Sequence, residues 1–404
     1  MSDVPPFHKE NPMQYTPSDL VAAFASLPDP RRAQGRRFPL AALLALAVVA
    51  LLSNHLSVLA IAQFGKRQSP AVLAALGFAR GMAPHQTTVQ RLFRRLDPLP
   101  LAVALTTCFA PLRSPDDPRG DVGIALDGKA HRGRLAYADH PEYPVHMLSA
   151  VLHESGIVLA QLPLDPTGEK AAAELTAAPA LIGQLDWHGC VLTGDALYAD
   201  TDICTAVCDA GGDYLVVLKG NQPTTLHAAA ALFAARADTA LTAASLPPLD
   251  MRTATTLDKG HGRVEVRRLL ASTALNDYLP WPHLAQVVMI ARTWWERGTR
   301  HESVRYALTS LPAAVAGADR LLTLARGHWQ IENGVHYVKD VTLGEDRSTI
   351  RAGHGPSVMA MVRDAVVSVL HQAGWRTIAE RLRYYSGNVR AALTLLGIPL
   401  TENA

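Results

Sequence analysis

Between residues 122 and 218 the sequence alternates short apolar strands with helices, and their order narrows the choice of fold. Short apolar runs bounded by turn-forming residues indicate strands, and apolar residues at helical spacing indicate helices. In chain order the predicted elements are strands at 122–126, 145–153 and 157–162, a helix at 170–185, a strand at 190–195, a helix at 200–210 and a strand at 214–218. The order β-β-β-α-β-α-β predicts an α/β core whose mixed sheet is flanked by helices and begins with a hairpin.

The segment before this core is helical by pattern. Its predicted features are a helix start at Thr16-Pro17, continuous helix from 38 to 78 with a new start at Ser69-Pro70, and a short helix at 89–96 capped by Thr87 or Thr88. The apolar run at 38–52 is shorter than the roughly 20 residues that a membrane span needs, so it predicts a buried helix and no membrane association.

After the core, strand-like stretches near 263–272, 285–293 and 303–310 predict a β-rich insertion. Helical spacing resumes at Ala318 and returns at 356–371 and 389–396. The expected division of the chain is a helical domain at 1–112, the first part of the α/β core at 121–225, the insertion at 226–317, further core helices at 318–372 and a helical tail at 373–404.

Composition excludes few functions. A net charge of +2 over 404 residues does not by itself indicate nucleic-acid binding. Positive charge is concentrated locally instead, in Arg31, Arg32, Arg36 and Arg37 and again in Arg91, Arg94 and Arg95. Four cysteines in a chain of this length do not make a disulfide framework, which favours a cytoplasmic protein.

Three acidic residues lie where an α/β core exposes functional groups. Asp127 ends the first predicted strand, Asp195 ends the fourth, and Glu332 lies on the helix after the insertion. The first and fourth strands are neighbours in a sheet of this order, so both aspartates would face one crevice. Carboxylate oxygens suit Mg²⁺ or Mn²⁺, and two such ions support attack on a phosphodiester. Taken singly, either aspartate could be a turn residue and Glu332 a solvated helix residue.

The residues around these acids resemble the DDE transposases of the H-repeat-associated, ISAs-type bacterial insertion sequences. The stretches that carry the resemblance are 124–129, 145–150, 191–197, 326–337 and 340–346, with 27–37 similar to the helical domain attached to these enzymes. The resemblance implies a ribonuclease H-like catalytic core, a fold that the order of the predicted elements also suggests. It further implies a catalytic triad of Asp127, Asp195 and Glu332 that binds two Mg²⁺ (or Mn²⁺) ions.

The helix of Glu332 matches the wider insertion-sequence transposases only in part. Many of these enzymes carry a tyrosine, an arginine, the glutamate and a lysine there. Lys339 fits the lysine position, whereas His328 occupies the arginine position. Arg326 could take over the phosphate-binding role of that arginine. His328, Glu332 and His336 are spaced four apart and would share one α-helix face, which leaves a zinc site open beside second-sphere or DNA contacts.

Several other side chains are candidates for contact with DNA through charge, hydrogen bonding or stacking. They are Lys129, Lys219, Asn221, Arg326, His328, His336, Lys339, Arg36, Arg37, Arg91, Arg94 and Trp294. The arginine clusters could equally be solvated charge, and Lys219 and Asn221 could belong to an ordinary loop. Trp294 and Trp295 favour a buried pair, with stacking on an unpaired base as the alternative. Cys204 and Cys208 favour buried core cysteines.

The expected function is a DNA transposase that binds terminal inverted repeats, cleaves the ends and joins them to target DNA. A ribonuclease H-like nuclease without strand transfer and a catalytically silent DNA-binding relic are the alternatives. The intact triad disfavours the relic, and the helical domain and the insertion disfavour the nuclease. Helix 89–96, which carries Gln90, would read base edges in double-stranded DNA. Because two ends must be cut, a homodimer on DNA is expected, associated with the nucleoid of a bacterium.

Overall fold

The N-terminal region is helical, as the sequence predicted. The computed structural model describes residues 18–110, 119–130, 146–164, 170–237, 250–260 and 263–400. The first helices are α1 (Ser18–Ala25), α2 (Leu40–Leu52), α3 (Val58–Lys66), α4 (Pro70–Ala75), α5 (Gln86–Arg95) and α6 (Pro98–Phe109). The predicted start at Thr16-Pro17 lies outside the described residues.

The prediction of continuous helix from 38 to 78 was wrong. Helix α2 ends at Leu52, and Asn54 adopts a φ of 63°, a left-handed conformation that reverses the chain before α3. The predicted start of α4 is confirmed, because the side chain of Ser69 accepts a hydrogen bond from the amide of Val72. Helix α5 is capped by His85 rather than by either of the predicted threonines.

The predicted strand order is confirmed in the central part of the sheet. Its elements are β1 (Val122–Ala130), β2 (His146–Leu152), β3 (Val158–Pro163), α7 (Lys170–Ile182), β4 (Cys190–Gly194), α8 (Thr201–Asp209) and β5 (Asp213–Leu218). Strand β1 pairs antiparallel with β2 and parallel with β4, and β4 pairs parallel with β5. Strand β1 continues to Ala130, so Asp127 lies inside it and not at its end. The pairing of β1 with β4 brings together the strand that contains Asp127 and the strand that Asp195 follows.

The strands of the insertion extend the same sheet. Helix α9 (Pro223–Ala237) follows β5, and β6 (Arg252–Gly260), β7 (Arg263–Ser272), β8 (Gln286–Glu296) and β9 (Thr299–Thr309) come next. The described strands form one nine-stranded sheet in the order β3-β2-β1-β4-β5-β9-β8-β7-β6. Strands β7, β8 and β9 match the predicted strand-like stretches, whereas β6 and α9 were not predicted. Because β9 pairs with β5, the insertion continues the sheet that carries Asp127, and alternate side chains of its strands lie on the same face as Asp127.

The C-terminal helices pack against the N-terminal helices and against the sheet. Helix α10 (Ala318–Gly327) leads into a π-helical path through Ile331–His336 and Val338–Thr342, followed by α11 (Gly355–Gln372), α12 (Ile378–Ser386) and α13 (Val389–Leu395). Helix α11 is buried along most of its length and contacts α2, α5, α6 and β3. One apolar core therefore connects the N-terminal helices with the sheet.

Helix α2 is the most deeply buried of the N-terminal helices. The stretch Ala33–Leu52 is apolar and long enough to cross a membrane by composition alone, and 67% of it is buried within the structure. Every residue of α2 except Ala41 is buried, against α1, α3, α11, α12 and α13. Each fully buried leucine stabilises the folded state by about 1.5–3 kcal/mol, so α2 fits a core helix.

Candidate active site

Asp127 and Asp195 lie at the same level on neighbouring parallel strands. Leu126 pairs with Gly194, and the residues that follow them in sequence are Asp127 and Asp195. Asp127 is partly buried, with 22% of its side chain exposed. Asp195 is exposed and accepts a hydrogen bond of 2.9 Å from the amide of Leu197, which holds the turn after β4. The two carboxylates therefore border one part of the sheet, as the sequence predicted.

The π-helical path brings Glu332 and His336 to Asp127. Nδ1 of His336 lies 3.5 Å from Oδ2 of Asp127 and 3.8 Å from Oε2 of Glu332. The three side chains offer ligand atoms that all lie within 4.8 Å of one another, and Asp195 is not part of this group. A π-helical turn is rare and occurs frequently at functional sites. Two carboxylates and one imidazole form a donor set that fits a divalent cation.

The pKa values of all three side chains in this group are shifted from their ordinary values. Burial, together with the nearby Glu332 carboxylate, raises the pKa of Asp127 to about 7. The adjacent His336 imidazole lowers the pKa of Glu332. Burial also lowers the pKa of His336, which favours a neutral ring with a free nitrogen lone pair. The group thus combines two like charges with a neutral base, an arrangement that a bound cation would stabilise.

Glu174 is a further acid beside Asp127 that the sequence did not single out. It lies on α7 with only 2% of the residue exposed and accepts a hydrogen bond of 2.9 Å from Oη of Tyr198. A Cβ at Gly128 would come within 2.1 Å of its carboxylate, so only glycine leaves room for Glu174 there. Burial raises the pKa of Tyr198, and the surrounding carboxylates, including those of Glu174, Asp127 and Asp195, raise it further.

His328 does not join Glu332 and His336. Its Nδ1 lies 3.2 Å from Oγ1 of Thr193, whose hydroxyl also lies 2.8 Å from Nε2 of His153. A zinc site of His328, Glu332 and His336, which the sequence left open, does not form, because among the described residues the group that could hold a metal has Asp127 in place of His328. His328 contacts Thr193 on β4, whereas His336 contacts Asp127 on β1.

The two lysines near this helix are both paired. Nζ of Lys129 lies 2.6 Å from Oδ2 of Asp340, which fixes Lys129 in the wall of the site. Lys339 is 1% exposed and its Nζ lies 2.8 Å from Oδ2 of Asp364 on α11. The predicted DNA contact of Lys339 was wrong, because its ammonium group is enclosed by the protein.

A basic pocket of about 510 Å³ adjoins the carboxylates on the same sheet face. It begins beside Thr193, Gly194 and Asn333 and is lined by five arginines from the insertion and α10, namely Arg263, Arg267, Arg292, Arg305 and Arg326. Glu265 pairs with Arg267 and Arg292, and Asp258 pairs with Arg267 and Arg326. Five positive and two negative groups leave the pocket with an excess of positive charge.

The tryptophans of β8 do not form the predicted buried pair. Trp294 is half-buried and stacks on His301 with ring centroids 5.1 Å apart, and the guanidinium of Arg292 lies 4.5 Å from its ring. Trp295 is 39% exposed. The cysteine prediction holds for Cys204, which is buried, whereas Cys208 is half-buried; both are free thiols.

The remaining candidates for DNA contact occupy two other places. Gln90, Arg91 and Arg94 line one wall of a groove of about 1090 Å³, and the segment 344–355 after the π-helical path lines the other. The other candidates on the surface are Arg36, Arg37, Lys219 and Asn221, all exposed. The amide of Asn221 donates a hydrogen bond of 2.7 Å to the carbonyl of Ala196, which supports the turn that follows Asp195.

Two family models match this chain, one in its N-terminal part and one in its central and C-terminal parts. The model of the transposase DDE domain matches residues 118–370, and that of a domain associated with it matches 21–109. A Xanthobacter autotrophicus protein encoded in the dhlA 3′ region is 32% identical over 278 residues, which cover 66% of this chain and 86% of that protein. YhhI of Escherichia coli (strain K12), provisionally named an H repeat-associated transposase, is 26% identical and covers 87% of this chain and 90% of its own length. A cryo-EM structure of a piggyBac transposase synaptic complex with hairpin DNA aligns with a TM-score of 0.39 and 8% identity, covering 95% of this chain and 82% of that one.

Proposed function

The chain belongs to the family of the transposase DDE domain, and from this premise we propose that it binds transposon ends and catalyses strand cleavage and strand transfer. The observation that carries the proposal is the approach of Glu332, from a helix distant in sequence, to Asp127 inside the central sheet. Family membership implies a transposase enzyme that depends on a divalent metal ion. The chemistry of the ends and the residues that perform it are the proposed part.

The fold is proposed to be ribonuclease H-like. Support comes from the order β3-β2-β1-β4-β5, in which a three-stranded antiparallel part is continued by two parallel strands. The catalytic role of the acids is supported by a different observation: Asp127 on β1 and Asp195 directly after β4 lie at the same level of adjacent strands. In this arrangement the insertion strands β6 to β9 continue the catalytic sheet beyond β5.

Asp127, Asp195 and Glu332 are proposed to hold Mg²⁺ or Mn²⁺, with two ions per site. When bound, such ions activate a water or a 3′-hydroxyl and stabilise the leaving oxygen of the phosphodiester. The protein groups around them position the acids. Lys129 is fixed by Asp340 beside Glu332, and Asn221 supports the turn behind Asp195. The carboxylate of Glu332 is 52% exposed and can therefore meet a substrate from solvent.

Double-stranded DNA is the proposed partner, held on two basic surfaces. The five-arginine pocket continues from the acids along the sheet face, where it can neutralise phosphates next to the cleaved bond. The exposed residues Gln90, Arg91 and Arg94 of α5 face a separate groove, which fits contact with the transposon end. We propose that the enzyme acts in the bacterial cytoplasm on the nucleoid.

Strand cleavage of end DNA with Mg²⁺ tests the catalytic assignment. Asp127→Asn, Asp195→Asn and Glu332→Gln should each lower cleavage by at least about a thousandfold, because metal-ion catalysis contributes several kcal/mol. Asp209→Asn is the matched control. This exposed aspartate lies at the end of α8 away from the carboxyl ends of the parallel strands, so its variant should cleave normally. Cleavage near the wild-type rate by any one triad variant would remove that residue from the site.

Two chains are proposed to act together, because two ends must be cut and the described part of each chain offers one such group of acids. Mixing wild-type chains with Glu332→Gln chains on paired ends should give a large class of products cut at one end only. If mixtures instead give only uncut and fully processed DNA, in proportion to the active chains, one chain performs both cuts and the dimer is excluded.

A further inference from the structure

Nδ1 of His336 faces the same space as the two acids on either side of it. The residue is 6% exposed, so the ring is held in place by its surroundings. The nitrogen lies 3.5 Å from Asp127 Oδ2 and 3.8 Å from Glu332 Oε2. Direct N–H···O hydrogen bonds are about 2.7–3.2 Å long, so neither contact is a well-formed one. Nε2 on the other side of the ring is also without a hydrogen-bond partner among the described residues.

The separations match ligands that share one ion. Two donor atoms that each lie about 2.1 Å from a common cation are about 3 to 4 Å apart, depending on the coordination angle. The distances from His336 to both carboxylates fall in this range, and the whole group lies within 4.8 Å. The two lysines near the pair are engaged by other carboxylates, Lys129 by Asp340 and Lys170 by Glu174.

We propose that Asp127, Glu332 and His336 form a mixed nitrogen–oxygen site in which the His336 imidazole is a direct metal ligand. The proposal rests on the function argued above only in naming the ion as the catalytic one. An imidazole ligand favours a transition-metal ion over Mg²⁺, which prefers oxygen donors and retained waters. The site should therefore bind Mn²⁺ more tightly than Mg²⁺. Asp195 lies outside this group and remains for a second ion.

Pulsed electron paramagnetic resonance of Mn²⁺ bound to the full chain tests the ligand directly. The wild-type spectrum should contain ¹⁴N modulation from an imidazole, and labelling the histidines with ¹⁵N should replace that modulation with the ¹⁵N pattern. The labelling experiment needs no substitution, so it does not depend on any variant being folded. Mn²⁺ bound without nitrogen modulation, or no binding of Mn²⁺ to the chain, would overturn the proposal.

A pair of matched variants assigns the nitrogen to one residue. His336→Gln should remove the modulation and weaken Mn²⁺ binding at least about tenfold, while Mg²⁺ binding changes less. His328→Gln, which alters a buried histidine on the same helical segment, should keep the modulation. Modulation that survives in His336→Gln, or that is lost only in His328→Gln, contradicts the assignment. An oxygen-only site would leave the proposed transposase intact, whereas an imidazole-ligated ion in a chain that cannot cut DNA would contradict the transposase alone.

Discussion

Two groups of charged residues, each of which includes a charged residue of the π-helical path, differ in how their charge is balanced. Lys339 and Arg363 meet Asp364 and Glu345 in a buried cluster, with Nζ of Lys339 at 2.8 Å from Asp364 and at 3.6 Å from Glu345. Its four side chains are at most 2% exposed and carry two charges of each sign. In the second group Glu332, on the same π-helical path, faces Asp127 of β1 with the His336 imidazole between them. The first group balances its charges within the protein, whereas the second, the unbalanced group, is the proposed site of a cation.

Breaking the balanced cluster should have the largest effect on stability. Lys339→Ala removes one of the two positive charges from the buried cluster and should lower the free energy of unfolding by about 3 to 5 kcal/mol. Urea denaturation measures this change. Lys66→Ala, at an exposed position at the end of α3, is the control and should change stability by less than about 0.5 kcal/mol. A Lys339→Ala chain as stable as the wild type would mean that the cluster does not hold the helix.

Neutralising Asp127 in the unbalanced group should raise the free energy of unfolding, whereas Lys339→Ala lowers it. The pKa of Asp127 is raised to about 7 in the folded chain, above its ordinary value of 3.8, so the folded state binds a proton more tightly. Without metal, stability should therefore fall as pH rises from about 4 to about 7. Asp127→Asn removes this loss and should be more stable than the wild type at pH 8 in EDTA by about 1 to 3 kcal/mol. The difference should vanish near pH 4, and a variant less stable than the wild type at pH 8 would contradict the account.

The smallest expected effect on stability concerns Arg91 and Arg94 of α5, which belong to neither group and are proposed to contact DNA. Arg91→Ala and Arg94→Ala alter exposed side chains, so folding stability should change by less than about 0.5 kcal/mol. Each should weaken binding to the transposon end and lower the salt dependence by about one phosphate contact. Binding titrations at several salt concentrations measure both quantities. Unchanged affinity and salt dependence in both variants would move end recognition away from α5.

Much of the fold could be predicted because its signals are local. Apolar runs and turn residues identified β1 to β5, and the pairing of β1 with β4 followed from their order. Strand β6 was missed because its sequence, Arg252–Gly260, is polar and charged along most of its length. The break after α2 was missed because apolar residues continue on both sides of Asn54. Asn54 forms a left-handed helix C-cap, in which the amides of Asn54 and His55 donate hydrogen bonds to the carbonyls of Leu51 and Ala50, a local signal that apolar spacing does not report.

The candidate site could be predicted only in its acids. The structure brings Asp127 and Glu332 together, while the catalytic role of the triad stays a prediction. His336 was grouped with His328 by their spacing along a helix, but the two rings contact different strands, His328 at Thr193 of β4 and His336 at Asp127 of β1. The burial of Lys339 depends on Asp364, which lies 25 residues later on α11. Glu174 carried no local signal, since its approach to Gly128 arises only when α7 packs on the sheet.

Equilibrium titration with Mn²⁺ tests most directly whether the unbalanced group is the metal site. The wild type and the Asp209→Asn control should bind Mn²⁺ with the same affinity, because neither changes the group of Asp127, Glu332 and His336. Asp127→Asn and Glu332→Gln should each weaken the binding by at least about tenfold, and their thermal stability should no longer rise when Mn²⁺ is added. If both variants bind Mn²⁺ as tightly as the wild type, these carboxylates are not the metal ligands and the central claim is contradicted.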